Sequence, residues 1–331
     1  MNLKNLLVVG AGLALAGCCA TNPCGCGCAC GEKSPLVGDW GLKLPYDSMF
    51  AGHAIFTRDT YGRIQAYVLL RWASPEWCEA VQVDGNRFSF RHPYGSWLEG
   101  EVDGDKMTGL VYADKDGKKD GKGEPFTGWR NPPIAKGSTS KGVKLGAPID
   151  LLKDGLAGWE QIEEKGRFGW TFKDGVLSNK LGLKPDGSWT GGGVNIRTKR
   201  ADFYDFNLEY DVRVPKGSNS GVYLRGRYEC QVVDSYQKRV DRHNMAAYYG
   251  RVTPSKSAEK APGEWQHVNV TLANRHLTVV LNGETVIDDV PVVGVTGGAI
   301  DADEFAPGPL YLQGDHSDAD YRNMILRPVV K

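Results

Sequence analysis

The stretch 219–235 gathers polar side chains of the types that recognise and act on a ligand. Its odd-numbered positions carry a phenol, two cations, a carboxylate and an amide, at Tyr223, Arg225, Arg227, Glu229 and Gln231. Alternate side chains of a strand share a face, so these five could form one recognition surface for a polar ligand. The alternative is the solvated outer face of an antiparallel sheet, which shows the same alternation.

The even-numbered positions of the same stretch are mostly apolar, which predicts a strand with one wet face. They are Val222, Leu224, Gly226, Tyr228, Cys230 and Val232. The run is longer than a usual strand. Gly226 therefore predicts a bulge or a tight turn that divides it into two strands.

Composition favours a turn-rich β protein, because the 331 residues include 43 Gly and 17 Pro. Forty basic residues balance forty acidic ones. This balance removes the electrostatic case for nucleic acid or an anionic membrane surface as the main partner. A neutral small molecule or a carbohydrate fits the composition better.

The N-terminus has the pattern of an export signal. An apolar run over 6–16 is too short to span a bilayer, and residues 15–18, Leu-Ala-Gly-Cys, resemble the lipobox of bacterial lipoproteins. We therefore expect a signal peptide over 1–17, lipidation of Cys18, and an exported lipoprotein of the periplasm or outer membrane held at the membrane by its lipid. The alternative is an ordinary cleaved signal.

Six of the eight cysteines lie in the first thirty residues, in a spacing that is not typical of zinc sites. Residues 18–34 are expected to form a Cys-rich tether, although disulfides or a soft metal would also suit this composition. Cys78 and Cys230 stand alone in apolar patterns, so both are expected to be buried as small hydrophobes.

Residues 35–130 have the pattern of a small β-meander domain, with short alternating runs separated by Asp84-Gly85 and Asp103-Gly104. Five aromatic residues here could form a sugar-stacking platform or supply the core: Trp72, Trp77, Tyr94, Trp97 and Trp129. Residues 131–147 are rich in Pro, Gly, Ser and Lys, which predicts a linker.

Residues 148–331 predict a second all-β domain. Alternating runs such as 206–214 and 265–272 are joined by turn signals, of which Asn282-Gly283 is the strongest. No amphipathic helix of three turns is evident. A two-sheet antiparallel sandwich is the economical architecture.

The order of motifs in this second domain resembles the 3-keto-disaccharide hydrolase domain family, over roughly residues 148–329. The most specific segments are 219–225 (Asn-Ser-Gly-Val-Tyr-Leu-Arg), 228–234 (Tyr-Glu-Cys-Gln-Val-Val-Asp), 312–316 (Leu-Gln-Gly-Asp-His) and 321–323 (Tyr-Arg-Asn). Ser317 and Ala319 depart from the usual Gly and Val of the family. The resemblance implies a concanavalin A-like jelly roll that follows the small meander domain.

The resemblance also implies cleavage of glycosides that a separate oxidoreductase has oxidised at C3. Such a ketone acidifies the C2 hydrogen, so the enzyme needs a base, an enolate stabiliser and an acid. Glu229 is the candidate base and Arg225 the donor to the oxygen at C3. His316 or Asp234 would serve the leaving oxygen.

The remaining candidates would bind the carbohydrate. They are Tyr223, Arg227, Gln231, His243, Gln313 and Asp315, with Asp241 and Tyr249 at the rim of the cleft. No cofactor is certain, although a divalent cation at Glu229, Asp234 and His316 could polarise the ketone. The alternatives are a lectin-like surface protein that holds an intact glycan and a structural envelope domain.

Overall fold

The computed structural model describes residues 34–46 and 50–330. The predicted signal peptide, the predicted lipidation site Cys18 and the predicted tether, apart from Ser34, lie outside the described residues. Regular structure in the described part is β-strand, with one 3₁₀ helix at Gly155–Gly158. No helix there is long and apolar enough to cross a membrane. The prediction of an all-β protein is confirmed.

The first sheet contains nine antiparallel strands in the order β4-β3-β2-β1-β9-β8-β7-β6-β5. Gly85 and Gly104 occupy the left-handed region with φ of 58°, as their turns between neighbouring strands require. The strands are β1 Gly38–Lys43, β2 Ala51–Arg58, β3 Ile64–Leu69, β4 Glu76–Trp77, β5 Glu79–Asp84, β6 Arg87–His92, β7 Ser96–Asp103, β8 Lys106–Lys115 and β9 Lys118–Arg130.

This sheet curls round on itself. Its two end strands, β4 and β5, are separated only by Cys78, whose backbone N–H donates to the Ala66 carbonyl of β3 at 2.8 Å. The enclosed core includes Trp40, Phe56 and Phe90. Trp72, Trp77 and Tyr94 are instead about half exposed, so they are available at the surface.

Residues after the first sheet form two further antiparallel sheets. The larger has the order β13-β14-β23-β16-β19-β20-β21, with β10 and β11 also paired to β23, and the smaller has the order β12-β15-β22-β17-β18. The strands are β10 Lys144–Leu145, β11 Ile149–Asp150, β12 Trp159–Gln161, β13 Trp170–Lys173, β14 Val176–Asn179, β15 Ile196–Thr198, β16 Phe206–Arg213, β17 Asn219–Leu224, β18 Tyr228–Val233, β19 Gln266–Ala273, β20 His276–Leu281, β21 Glu284–Pro291, β22 Tyr311–Leu312 and β23 Ala319–Val330.

The two later sheets face each other across one apolar core. Leu208 and Val212 of β16 lie in this core with Val222 and Val232 of the smaller sheet. Cys230 is also buried there, as expected, whereas Cys78 is only partly buried. The predicted two-sheet jelly-roll sandwich, preceded by a small β-meander, is confirmed.

A buried polar cluster connects the first sheet to the sandwich. His53 Nε2 lies 2.6 Å from Asp39 Oδ1, and Asn131 Nδ2 donates to Asp39 Oδ1 at 2.9 Å and to Glu304 Oε1 at 3.1 Å. Burial raises the pKa of Glu304, although the positive charges of His53 and Arg275 oppose the rise. Residues Ser34–Lys331 form one compact unit, and the proposed division of this unit at 131–147 stays a prediction.

Candidate active site

Glu229 and Tyr223 face each other across the β17–β18 hairpin. They are direct partners in the antiparallel register, and the Tyr223 hydroxyl lies 2.9 Å from Glu229 Oε2. Their neighbours Val222 and Cys230 point into the sandwich core, because successive side chains of a strand take opposite faces. The hairpin therefore holds Glu229 and Tyr223 on the face of the smaller sheet that is turned away from that core.

Glu229 is almost completely buried, with 3% of its surface exposed. Burial disfavours the carboxylate and raises the pKa of Glu229 to about 8. A hydrogen bond from Tyr223 opposes this rise, and the negative charge of Asp315 adds to it. The carboxyl is therefore mostly protonated at pH 7, and its ionised form is a stronger base than an ordinary carboxylate.

The contacts of Tyr223 fit two proton arrangements. Its hydroxyl has one proton but lies near two acceptors, Glu229 Oε2 at 2.9 Å and the Gly297 carbonyl at 2.7 Å. A carbonyl can only accept, so both contacts are hydrogen bonds when Tyr223 donates to Gly297 and protonated Glu229 donates to Tyr223. When Glu229 is ionised, the Tyr223 proton can turn to the carboxylate. Tyr223 can therefore support Glu229 in either state.

Glu229 and Tyr223 line a cavity of about 280 Å³. A ring stacked on Tyr223 supports this wall from β22, since the centroids of Tyr223 and Tyr311 lie 4.0 Å apart. The other lining residues come from several separate segments: Trp72, Ala73, Asn219, Tyr249, Gly297, Gly298, Gln313, Asp315 and His316.

His316 and Asp315 form a pair on the loop after β22. His316 Nδ1 lies 2.5 Å from Asp315 Oδ1, and this hydrogen bond raises the pKa of His316. The loop is held by Asn179, whose Nδ2 donates to the carbonyls of Gly314 and Ser317 at 2.9 Å each. His316 therefore keeps its proton to a higher pH than an ordinary histidine and can act as an acid.

Asn219 and Gln313 contribute amide groups to the same cavity. Asn219 Oδ1 and Gln313 Oε1 are buried and have no hydrogen-bond partner among the described residues. Ser317 fixes the Asn219 backbone, accepting from its N–H at 2.6 Å and donating to its carbonyl at 2.7 Å. Buried polar atoms normally have partners, so these amides are suited to the hydroxyl groups of a bound sugar.

Arg225 and Arg227 do not line this cavity, which corrects their expected place beside Glu229. They lie in the turn after β17, where Arg225 has a φ of 55° and the strand alternation ends. Arg225 donates to the Glu304 carbonyl, and Arg227 Nη2 pairs with Asp301 Oδ2 at 2.6 Å. The two guanidinium groups therefore hold the hairpin turn against the 301–304 segment.

Gln231, Asp234 and His243 lie along an adjoining cavity of about 260 Å³ that shares Asn219 and Tyr249 with the first. Each side chain already contacts another group of the protein. Gln231 Oε1 accepts from the Val232 N–H at 2.9 Å, Asp234 Oδ2 accepts from the Gly217 N–H at 2.8 Å, and His243 Nε2 lies 2.8 Å from Ser74 Oγ. Their positions suit contacts with a more distant part of a ligand.

Residues 149–327 match the family described as the 3-keto-alpha-glucoside-1,2-lyase-like domain. The chain belongs to this family. The match covers the sandwich and leaves the first sheet outside it. No curated protein matches the chain.

Solved structures with a similar chain trace include two proteins of Parabacteroides distasonis ATCC 8503 that are provisionally assigned as glycosyl hydrolases. The first is 24% identical with a TM-score of 0.42, covering 60% of this chain and 92% of its own. The second is 22% identical with a TM-score of 0.42, and the alignment covers 56% of this chain and 100% of the other. The carbohydrate-binding module CBM66 of Bacillus subtilis is 16% identical with a TM-score of 0.33, and the alignment covers 50% of this chain and 93% of the module.

The 3-keto-alpha-glucoside-1,2-lyase-like domain does not bring Glu229, Asp234 and His316 together as metal ligands. Among the described residues, the group with three ligand atoms within 4.8 Å of one another is the Asp39, His53 and Glu304 cluster. In that cluster Asn131 bridges the two carboxylates by hydrogen bonds from its Nδ2. A divalent cation at Glu229, Asp234 and His316, considered in the sequence analysis, therefore receives no support from the geometry.

Several walls of the candidate active site are not predicted by the sequence. Asn219 stood within the motif but was assigned no role, and Ala73, Gly297 and Gly298 carry no chemical signal of their own. The sequence predicts Trp72 only as one of five aromatic residues that could stack on a sugar or supply the core. Its exposure is a property of the folded structure, and Trp77 and Tyr94 are similarly exposed, so the sequence carries no signal that distinguishes Trp72.

Proposed function

We propose that this protein cleaves glycosides whose sugar carries a ketone at C3, by removing the C2 proton and expelling the group at C1. The observation that carries the proposal is the pairing, in one cavity, of a buried carboxyl with a pKa of about 8 and a histidine whose pKa is raised. Family membership supports the same chemistry.

The first step is proton transfer from C2 to the ionised Glu229 carboxylate. The electron pair of the C2–H bond forms a C2–C3 double bond, and the carbonyl π pair moves to the oxygen at C3, which gives an enolate. Collapse of the enolate restores the C3 ketone, forms a C1–C2 double bond and breaks the bond from C1 to the glycosidic oxygen of the leaving group. Protonated His316 donates to that oxygen, and addition of water across the double bond completes net hydrolysis.

The enolate oxygen needs donors, and Arg225 is not among the residues that line the cavity, because its guanidinium donates to the Glu304 carbonyl. The side-chain NH₂ groups of Asn219 and Gln313 and the Tyr249 hydroxyl are uncharged donors in the lining. We assign them the stabilisation of the oxygen at C3, because preorganised donors in a buried site act strongly on developing charge.

The test uses exchange of the C2 hydrogen for solvent deuterium in a 3-keto disaccharide, measured together with release of monosaccharide. Glu229→Gln keeps the shape but removes the base, so we expect both rates to fall by at least about a hundredfold. Glu160→Gln is the control, because Glu160 pairs with Arg197 at 2.8 Å outside the cavity. Full activity of Glu229→Gln, or fast cleavage of the unoxidised disaccharide, would overturn the proposal.

Carbohydrate binding without cleavage is the second candidate function. The exposed Trp72 ring and the unpartnered amide oxygens of Asn219 and Gln313 favour it, because stacking and amide contacts are sufficient to hold an intact sugar. Calorimetric titration with the unoxidised disaccharide separates the two candidates. Binding in the absence of any exchange or cleavage of the 3-keto disaccharide supports the second.

A further inference from the structure

The loop between β3 and β4 of the first sheet reaches the rim of the candidate active site. Trp72 and Ala73 from this loop line the same cavity as Glu229 and His316. The family match begins at residue 149, so the matched domain alone does not supply this wall. The cavity therefore depends on a part of the chain that lies outside the family domain.

Close backbone contacts fix this loop against the sandwich. The Gly298 N–H donates to the Arg71 carbonyl at 2.8 Å. A Cβ at Gly297 would come within 2.3 Å of the Ala73 carbonyl oxygen, so only glycine permits this approach. Ser74 Oγ, at the next position, contacts His243 Nε2 at 2.8 Å.

The loop is also held in an uncommon backbone conformation. Arg71 has a φ of 22° and Ala73 a φ of 61°, and non-glycine residues seldom adopt such values unless the surroundings impose them. The Arg71 guanidinium lies 4.6 Å from the Trp72 ring centre and 4.7 Å from that of Tyr46. Arg71 therefore fixes the position of the indole, while 48% of the surface of Trp72 stays exposed.

We infer that Trp72 stacks on the leaving group of the substrate. That leaving group then carries a ring with an apolar face, either a second pyranose or an aryl group. This inference rests on the proposed function. A cavity of about 280 Å³ is small for a ligand site, so it suits one sugar ring beside Glu229 and His316. The group attached at C1 then extends to the rim, where Trp72 offers its exposed ring.

The test compares three substrates that share the 3-keto glucosyl unit and differ at C1: a disaccharide, an aryl glycoside and a methyl glycoside. Trp72→Ala in the full chain is expected to lower kcat/KM about three- to tenfold on the substrates with a ring leaving group, mainly through KM. The methyl glycoside should change less than about twofold. Trp72→Phe keeps an aromatic face and should restore most of the loss.

Trp77→Ala is the matched control, because Trp77 is equally exposed on the same sheet but packs on Tyr67, 5.0 Å between centroids, outside the cavity. It should leave all three rates unchanged. Equal losses on the three substrates in Trp72→Ala, or no loss on any, would overturn the inference. A loss confined to the disaccharide or to the aryl glycoside identifies which ring the site accepts and supports it.

Failure of the proposed function would show differently, as a wild-type protein inactive on all three substrates. Calorimetry with the unoxidised disaccharide and methyl glucoside then decides the role of Trp72. Tighter binding of the disaccharide that is lost in Trp72→Ala supports the inference, and equal binding of both sugars, or none, refutes it.

Discussion

Burial of Glu229 couples folding to proton binding. The pKa of an ordinary glutamic acid is 4.5, whereas that of Glu229 in the folded protein is about 8. Between these pH values the unfolded chain has lost a proton that the folded protein keeps. Rising pH therefore favours unfolding over this interval, and the site lowers the stability of the protein in the range where it works.

Glu229→Gln should therefore raise stability while it abolishes activity. A neutral amide has no ionised form to desolvate, and its NH₂ can donate to Tyr223 as protonated Glu229 does. We expect little difference in melting temperature near pH 5 and a melting temperature several degrees higher for the variant near pH 8. A variant less stable than the wild type at pH 8 would contradict the assigned pKa of Glu229.

Asp315 should set both limbs of the pH profile. Its charge raises the pKa of Glu229, and its hydrogen bond raises the pKa of His316. Activity requires ionised Glu229 and protonated His316, so Asp315→Asn should shift both limbs of the kcat/KM profile to lower pH. Asp186→Asn, in an exposed turn, is the control. If the pH profile of kcat/KM does not shift in Asp315→Asn, Asp315 does not set the pKa values on which activity depends.

Alternation predicted the strands and Gly226 predicted the turn between them, but neither showed that Arg225 and Arg227 belong to the turn. Tyr223, Glu229 and Gln231 share a face because β17 and β18 pair in register, as the sequence pattern indicated. The predicted break at Gly226 is confirmed, since it has a φ of 67° between the two strands. Beyond the strand ends the period-two rule no longer applies, and Arg225 and Arg227 turn away from the site.

Distant segments mark the other limit of prediction from sequence. The segment 312–316 is one of the motifs that the sequence shows, and three of its residues, Gln313, Asp315 and His316, line the cavity. Trp72 reaches the same cavity from a different sheet. Only the packing of the two sheets creates that contact, and no local pattern of residues encodes it.

Arg225→Met should destabilise the protein rather than its chemistry. Arg225 is 1% exposed, donates to the Glu304 carbonyl and lies 4.6 Å over the Tyr204 ring. Loss of this charged hydrogen bond should lower the free energy of unfolding by about 2 kcal/mol. Denaturant titration measures this loss. Arg197→Met is the control, because the Arg197 side chain is about half exposed. If Arg225→Met has normal stability but slow exchange of the C2 hydrogen, Arg225 acts in the reaction and this prediction is wrong.

The first sheet and the sandwich share buried groups as well as the cavity. Ala51 and Leu69 of the first sheet pack in the sandwich core, and Glu304 of the sandwich interacts with His53 and Asn131. Most of each core is nevertheless contributed by one part alone. The first sheet therefore supplies part of the cavity wall but only a few residues of the sandwich core.

A fragment of residues 148–331 should fold and keep activity with reduced selectivity. Glu304 would retain the Gly294 N–H at 3.0 Å and Arg275 at 3.6 Å, but would lose His53 and Asn131. We expect a β circular dichroism spectrum, a lower melting temperature and loss of the preference for ring leaving groups. An unfolded fragment, or one inactive on every substrate of the full chain, would count against two separable domains.

Membrane attachment is proposed from the Leu-Ala-Gly-Cys segment alone, so it needs a direct test. Lipidation that attaches more than one acyl chain at Cys18 would give stable anchoring, which a single chain does not. Cys18→Ser should move the protein from the membrane fraction to the soluble fraction after cell lysis. Unchanged fractionation would refute the proposed anchor.

The closure of the first sheet at Cys78 has a consequence for self-association. An open sheet presents unpaired backbone groups at each edge, where another chain can add a strand and begin aggregation. Here the segment containing β4 and β5 pairs on one side with β3 and on the other with β6. The first sheet therefore offers little template for strand addition, and copies crowded on one surface should remain separate through this part of the molecule.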